Sequence, residues 1–330
     1  MRTQIAVGVI YNASRDKVLV ARRPDGVIQG GLWEFPGGKL LPDEEISQAL
    51  KRELFEELNL EVDSACPLIT IDHDYPGLPV TLNVWSIMDW HGQILGNEGQ
   101  DIEWISIDNL NEKNFPEANQ PIITAVRLPH LYLITPNLSR YDKVFFKNLN
   151  DILQSGVSLM QFRSRQIPVP EAKGIIRNIL EICNDNSCML LINGSPAEVV
   201  ELPCHGVHLS SDSLLKLNSR PLSTGKWVAA SCHNERELDH ACNIGVDFAV
   251  LSPVNKTRSH PNEEVIGWEM FRRLVRNATI PVYALGGMGP GDMRIARKNG
   301  AQGIAMISSI WGAKDKVDTV KQILNEERCL

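Results

Sequence analysis

Glu53, Glu56 and Glu57 are spaced i, i+3, i+4 in the run Arg52-Glu53-Leu54-Phe55-Glu56-Glu57-Leu58-Asn59-Leu60. On a helix that spacing sets three carboxylates on one face. Three anions so close repel one another unless a divalent cation sits among them. Hard cations such as Mg²⁺ take oxygen ligands of this kind and are usually shared with substrate phosphates. Arg52 precedes the first of them and can orient a carboxylate by a charge-assisted hydrogen bond. Gly37-Gly38 lets backbone approach a metal or phosphate closely, and Lys39 can contact phosphate. Glu44, near the start of the helix, either orients a ligand or is structural. A plain solvated acidic face is the competing reading of such a charge run. The spacing points instead to metal-assisted chemistry on a phosphorylated substrate.

These residues need a scaffold. The pattern predicts a helix over Glu44–Leu58 and a second over Gln120–Arg127, with strands at Gln4–Tyr11, Lys17–Ala21, Val80–Met88 and Ile102–Ser106. That is a mixed α/β unit built around one catalytic helix. Leu128-Pro129-His130 reads as the boundary, so the expected domains are 1–129 and 130–330, as the length of 330 residues favours.

Past the boundary the rhythm changes to short apolar runs: Leu131–Thr135, Leu159–Phe162, Met189–Ile192, Gly206–Leu209, Trp227–Ser231, Phe248–Leu251, Val282–Leu285 and Gly303–Ile307. Plausible helices lie between most of them. Alternation of this kind argues for a parallel sheet. Eight such units argue for a (β/α)₈ barrel, with an open doubly wound sheet as the alternative. Barrel sites lie at the strand C-termini. There the sequence offers Gln161, Arg163 and Arg165, then Asn193-Gly194, Ser231 and His233, Gly286-Gly287-Met288, and Ser308-Ser309. Glycine-rich backbone after the last two strands suits a phosphate. His208 lies within a strand and is expected as a satisfied core histidine.

Composition sets outer bounds. Hydrophobic residues make up 43% and charged residues 22%, with net charge −7 and pI about 5.7. A nucleic-acid polymer would want a basic face, so none is expected as a partner. No apolar run is long enough to span a membrane, and the N-terminus lacks a signal-peptide core. The seven cysteines are scattered with no CxxC pair, which suits a reducing cytoplasm.

The run Gly38-x5-Glu44-x7-Arg52-Glu53-Leu54-x-Glu56-Glu57-x-Asn59-Leu60 resembles the Nudix box, with Asn59 where the family has glycine. Asparagine is the next best residue for a left-handed helix end. The segments QIAVGVI, ARRPD, GLWEFPGGK and FPEANQPII extend the resemblance to the MutT branch, the 8-oxo-dGTP diphosphatases. The resemblance implies an α/β/α sandwich. It also implies Mg²⁺, or alternatively Mn²⁺, held by Gly37, Glu53, Glu56, Glu57 and Glu98. Glu53 or Glu98 would act as base, with Arg52 and Glu44 assisting. Arg23, Phe35, Gly38, Lys39 and Asn119 would bind the substrate. The implied reaction converts 8-oxo-dGTP to 8-oxo-dGMP and pyrophosphate, a nucleotide-pool sanitation step. Oxidation at C8 turns the guanine N7 acceptor into a donor, so the pocket must offer an acceptor there, which Asn119 can.

Residues 130–315 resemble the thiamine phosphate synthase/TenI family through LYLIT, MQFRSR, LLINGS, HGVHLS, AASCHN, DFAVLSPV, PVYALGGMGP and GIAMISSI. The resemblance implies a TIM barrel taking a phosphorylated thiazole-type ligand at Arg163, Asn193, Gly286, Gly287, Ser308 and Ser309. The synthases carry two metal-binding aspartates where this chain has Gly194 and Ser213. Their Thr-x-Thr-Lys loop reads Thr257-Arg258-Ser259-His260 here. The expectation is therefore a TenI-like tautomerase with His233 as acid/base, rather than a synthase. Two alternatives stand beside it: a hydrolase of damaged thiamine-precursor diphosphates, and a barrel that binds a ligand without turning it over.

Overall fold

The computed structural model describes residues 2–26, 29–75, 77–164, 166–257 and 264–328. Arg165 and the Arg258–His260 part of the expected loop lie outside the described residues. The chain divides between Leu128 and Pro129 into two compact units.

The N-terminal unit holds two sheets. One runs β4 (Gly37–Lys39), β1 (Thr3–Ile10), β6 (Leu78–His91), β5 (Glu61–Tyr75). The other runs β3 (Trp33–Glu34), β2 (Lys17–Arg22), β7 (Ile102–Ser106). Helices α1 (Ile46–Leu58) and α2 (Gln120–Arg127) complete the unit. Strand alternation explains the layering. Ala6 and Ile10 of β1 join Leu19 of β2 in the core that α1 closes with Ala49, Leu50, Leu54 and Leu58. Val7, Val9, Val18 and Val20 point the other way, into the core that α2 closes with Ile122, Ile123, Ala125 and Val126. This is the expected α/β/α sandwich. Gly8 leaves room for α1, since a Cβ there would lie 2.9 Å from Leu54 Cδ1.

β5 is a strand the sequence pattern did not announce. Its register against β6 shifts between Val62 and Ser64, between Ser64 and Ala65, and between Pro67 and Ile69. Each irregularity breaks the period-two signal. Pro67 is tolerated because β5 is an edge strand.

The C-terminal unit is a closed parallel barrel, which excludes the open-sheet alternative. Its strands are β8 (Leu131–Ile134), β9 (Leu159–Phe162), β10 (Met189–Asn193), β11 (Gly206–Leu209), β12 (Trp227–Cys232), β13 (Phe248–Leu251), β14 (Val282–Ala284) and β15 (Gly303–Met306). β15 pairs back onto β8. The helices that pack outside include 143–154, 173–185, 235–243, 267–276 and 316–328. Tyr132, Tyr283 and Phe248 fill the barrel interior, with ring centroids 5.4–5.6 Å apart. Among the described residues no helix is long and apolar enough to cross a membrane.

Candidate active site

α1 owes its position to both ends. At its start the Gln48 side chain accepts from the Glu45 N–H at 3.1 Å, satisfying a donor the helix leaves open. At its end Asn59 takes the left-handed conformation, φ 53°. That is the geometry for which glycine is usual and asparagine tolerated. With Leu50, Leu54 and Leu58 buried, residues 52, 53, 56 and 57 fall on the rim facing β4 and the loop after β6.

Arg52 is the hub of that rim. Its Nε and Nη2 each donate to Glu44 at 2.9 Å, in a bidentate pair. Its Nη1 donates to Glu53 at 2.8 Å and to Glu56 at 3.2 Å, and Nη2 also reaches the Lys39 carbonyl at 3.1 Å. These anions raise the Arg52 pKa further above its ordinary value. Arg52, together with the Leu41 N–H, holds the Glu44 carboxyl down at about 2. Glu44 lies just before the helix and serves to lock Arg52.

Glu57 turns from Arg52 toward the glycine pair and accepts from the Gly37 N–H at 3.1 Å. Burial pushes its carboxyl up to about 8, the Gly37 bond opposes this, and the charges of Glu34, Glu98 and Glu53 add to the rise. Gly37 has φ 142°, and a Cβ there would strike the Ala6 carbonyl; a Cβ on Gly38 would strike the Glu53 carboxylate. Glycine is thus required at both positions for close approach. The Lys39 side chain is exposed.

The structure brings Glu98 to this rim. Asn97 donates from its backbone to the Glu57 carbonyl at 3.0 Å and from its side chain to the Glu56 carbonyl at 3.1 Å. Gln100 also donates to the Glu57 carbonyl, at 3.1 Å, and accepts from the Glu98 N–H at 2.9 Å. The loop thereby caps the open carbonyls at the end of α1.

Among the described residues no three His, Cys, Asp or Glu side chains converge closely enough to hold an ion. The physical reason is local. Arg52 draws Glu53 and Glu56 to itself, and Glu57 is turned to Gly37. The donor set nonetheless suits a hard cation. Four carboxylates are gathered beside a glycine backbone, and one of them is half-buried among like charges, a situation that added positive charge relieves.

Of the expected base-pocket residues, Arg23 and Phe35 lie beside β3, whose Glu34 is charge-coupled to Glu57. Arg23, just past the end of β2, pairs with Glu34 of β3. Burial raises the Glu34 carboxyl, and Arg23 pulls it back. Phe35 is 3% exposed and stacks on Phe115 at 5.6 Å with 22° between planes. Asn119 is buried, and its side chain makes no helix-cap hydrogen bond, so capping does not account for it. Glu34 and Phe115 escaped the sequence reading. Glu34 is an isolated glutamate in an apolar segment, and Phe115 sits in a turn. Only pairing across the fold joins either to the site.

In the barrel, Arg163, Gly286, Gly287, Ser308 and Ser309 line one cavity of about 780 Å³ at the strand C-termini. Lys256 and Asp292 line it too, and neither was singled out from sequence. Gly286 and Gly287 adopt φ 103° and 67°. A Cβ on Gly286 would lie 2.8 Å from the Pro253 Cα, and one on Gly287 2.8 Å from the Asn255 Cβ. Ser309 donates to the Met288 carbonyl. Two expected residues stand apart from that lining. Asn193 donates to the His208 carbonyl at 3.1 Å. His233 is exposed, with Nδ1 2.9 Å from Glu237, whose carboxylate also accepts from the His233 N–H at 2.8 Å. It belongs to the start of the 235–243 helix, which Asn234 caps. No carboxylate stands at Gly194 or Ser213. Ser213 accepts from Ser210 at 3.0 Å, and a Cβ on Gly194 would meet Val169 at 3.1 Å.

Comparison with known proteins divides at the same place. A family profile described as thiamine monophosphate synthase matches residues 131–310, and one described as NUDIX domain matches residues 6–125. A putative thiamine-phosphate synthase 2 of Aquifex aeolicus is 32% identical over 183 residues, 56% of this chain and 98% of that protein. The 8-oxo-dGTP diphosphatase of Escherichia coli is 36% identical over 126 residues, 38% of this chain and 97% of that protein. A solved thiamine phosphate pyrophosphorylase from Pyrococcus furiosus superposes with TM-score 0.51 at 23% identity, over 64% of this chain and 99% of its own, a likeness of fold. The Aquifex aeolicus relative carries a synthase name, which runs against the expected tautomerase.

Proposed function

The chain belongs to the thiamine monophosphate synthase family through residues 131–310 and carries a NUDIX domain over residues 6–125, and from that premise we propose that its N-terminal unit hydrolyses 8-oxo-dGTP to 8-oxo-dGMP and pyrophosphate. The observation that carries the proposal is the Arg52 hub, which gathers Glu44, Glu53 and Glu56 on one rim beside Gly37-Gly38. Glu53, Glu56, Glu57, Glu98 and the Gly37 backbone would hold Mg²⁺ or Mn²⁺, which when bound offsets phosphate charge and makes water more acidic. Glu53 or Glu98 takes the proton of the attacking water. The water oxygen bonds to phosphorus, the anhydride between the α and β phosphates breaks, and pyrophosphate leaves. Arg52 keeps Glu53 aimed through the step. Phe35 gives the base an apolar wall, and the Asn119 carbonyl accepts from the N7–H that only the oxidised base has. Guanine would leave that acceptor facing another acceptor, which is how the site rejects it.

The test is kcat/KM for 8-oxo-dGTP against dGTP with Mg²⁺, in wild type and Glu53→Gln. A preference of at least about a hundredfold is expected, with kcat lowered by about a hundredfold or more in the variant. Equal turnover of the two nucleotides would sink the specificity.

For residues 130–330 we infer a binding site for a phosphorylated thiazole-type ligand. Backbone N–H groups at Gly286-Gly287, the Ser308 hydroxyl, and the Arg163 and Lys256 cations make the cavity suited to phosphate, with Ser309 bound to the Met288 carbonyl. The absence of carboxylates at Gly194 and Ser213 favours a second reading, in which the barrel binds without metal-dependent turnover and the Nudix unit hydrolyses damaged thiamine-precursor diphosphates. A substrate panel including pyrimidine diphosphates decides between the two.

A further inference from the structure

The helix Lys173–Asp185 ends in a turn that brings two thiols together. The Ser187 N–H donates to the Asn184 carbonyl at 3.2 Å, and the Cys188 N–H donates to the Cys183 carbonyl at 2.8 Å. Ser187, beside the second donor, is left-handed, with φ 52°. In a helix ending of this kind the side chain of the third residue from the end meets that of the residue after the left-handed one. Helices Glu235–Asn243 and Asp292–Lys298 end the same way, with Gly245 and Gly300 in the left-handed place. There the matched residues are Ala241 with Val246 and Ala296 with Ala301, joined by backbone bonds of 3.1 and 3.0 Å. In those turns the contact is apolar. In this one it is Cys183 with Cys188.

Both cysteines are free thiols and buried, 0% and 2% exposed. Cys183 Sγ lies 3.3 Å from Met160 Sδ on β9. A hydrogen bond with the Cys183 thiol, and burial after it, push the Cys188 thiol well above its usual range. Cysteine packs as a small apolar residue, which accounts for one at either place. Two in contact add a chemistry that neither has alone. A disulfide needs its two Cα atoms near each other and its Cβ atoms nearer still. The backbone bond between these same two residues keeps them close.

We propose that Cys183 and Cys188 form a reversible redox pair, closed to a disulfide by peroxide and reopened by a dithiol. One cysteine attacks a peroxide oxygen as thiolate. The O–O bond breaks, the sulfur keeps one oxygen as sulfenic acid, and the other oxygen leaves as water with the thiol's proton. The second cysteine attacks that sulfur, the S–O bond breaks, the S–S bond forms, and a second water leaves. Two thiols give up two electrons and two protons, and one peroxide becomes two waters. Burial makes the first attack slow. Contact makes the second fast, so the sulfenic acid is captured before it is oxidised further. The new bond ties the helix end to the start of β10 at Met189.

The test treats the full chain with hydrogen peroxide until Cys66, which is only half-buried, has reacted. The chain is then alkylated in denaturant and its cysteines are mapped by peptide mass. Cys183 and Cys188 are expected to lose alkylation together, in a species two hydrogens lighter, and to regain it after dithiothreitol. Cys183→Ala, which copies the alanine of the other two turns, should fold and leave Cys188 in no disulfide. Retention of both thiols would overturn the proposal. So would sulfinic acid at either position without a disulfide, or a bond from either to a third cysteine. The cross-linked protein should melt several degrees higher, because a loop is closed in the unfolded chain. A lower melting temperature would show a strained bond and overturn the reading of a geometry set in advance by the turn.

Discussion

At the scale of single residues, the rim of α1 shows how one cation organises several anions. Arg52 spends both faces of its guanidinium on Glu44, Glu53, Glu56 and the Lys39 carbonyl. A lysine ammonium is a point charge and cannot fork in this way. Arg52→Lys should therefore fold normally and lose about ten- to a hundredfold in kcat, with KM little changed, since it disturbs aim more than binding. Steady-state kinetics with circular dichroism as the folding control checks this. His208 makes a prediction of the opposite kind, about stability. Its pKa is about 3 in the fold against an ordinary value of 6.5. The unfolded chain takes a proton as pH falls below 6.5, and the folded ring refuses it until about 3. Stability from this group is thus complete above pH 6.5 and is lost on acidification through that window, by about 1.4 kcal/mol per pH unit. Urea unfolding from pH 7 to pH 4, wild type against His208→Gln, should show this slope as the difference between the two proteins, since Glu44, Glu57 and His205 add the same pH dependence to both.

At the scale of elements, β4 is set by what lies on either side of it. Gly37 abuts the β1 backbone, whereas Gly38 abuts the end of a flexible side chain, the Glu53 carboxylate. The two alanine substitutions should therefore part company. Gly37→Ala forces backbone apart at a positive φ and should lower stability by about 2 kcal/mol or more. Gly38→Ala can be relieved by moving Glu53, so it should leave the melting temperature within a few degrees and remove most activity. Thermal melts and hydrolysis assays on both variants check the split, and a Gly38→Ala enzyme with full activity would refute it. α1 was legible because its buried leucines and its rim glutamates keep one helical period. β5 was not, because its shifted registers and edge proline erase alternation. The loop carrying Glu98 was legible only as a candidate, since its anchors, the carbonyls of Glu56 and Glu57, are backbone groups without a sequence signature.

At the scale of the whole molecule, two candidate sites of different make-up share one chain. The first gathers carboxylates beside a glycine pair, and the second sets glycines, hydroxyls and cations around a cavity. A chelator should therefore abolish nucleotide hydrolysis and leave binding of inorganic phosphate by the barrel unchanged, as calorimetry in the presence of EDTA would show. The sequence by itself determined the local facts. These are the helix α1 and its glutamates, the sandwich, the eight-unit barrel rhythm, and the glycine and serine loops after its last strands. Each is written in residue type and spacing along a single element, where neighbours in sequence are neighbours in space. The tertiary structure decided what depends on distant segments meeting. It joined Glu34 to Arg23 and Phe115 to Phe35, and placed His233 beside Glu237 at a helix start, apart from the cavity. It set His208 between Tyr132 and Ser231, residues from three strands brought together by barrel closure. The reach of a side chain is a few ångströms, so which groups share charge or protons is fixed only once the backbone has been folded around them.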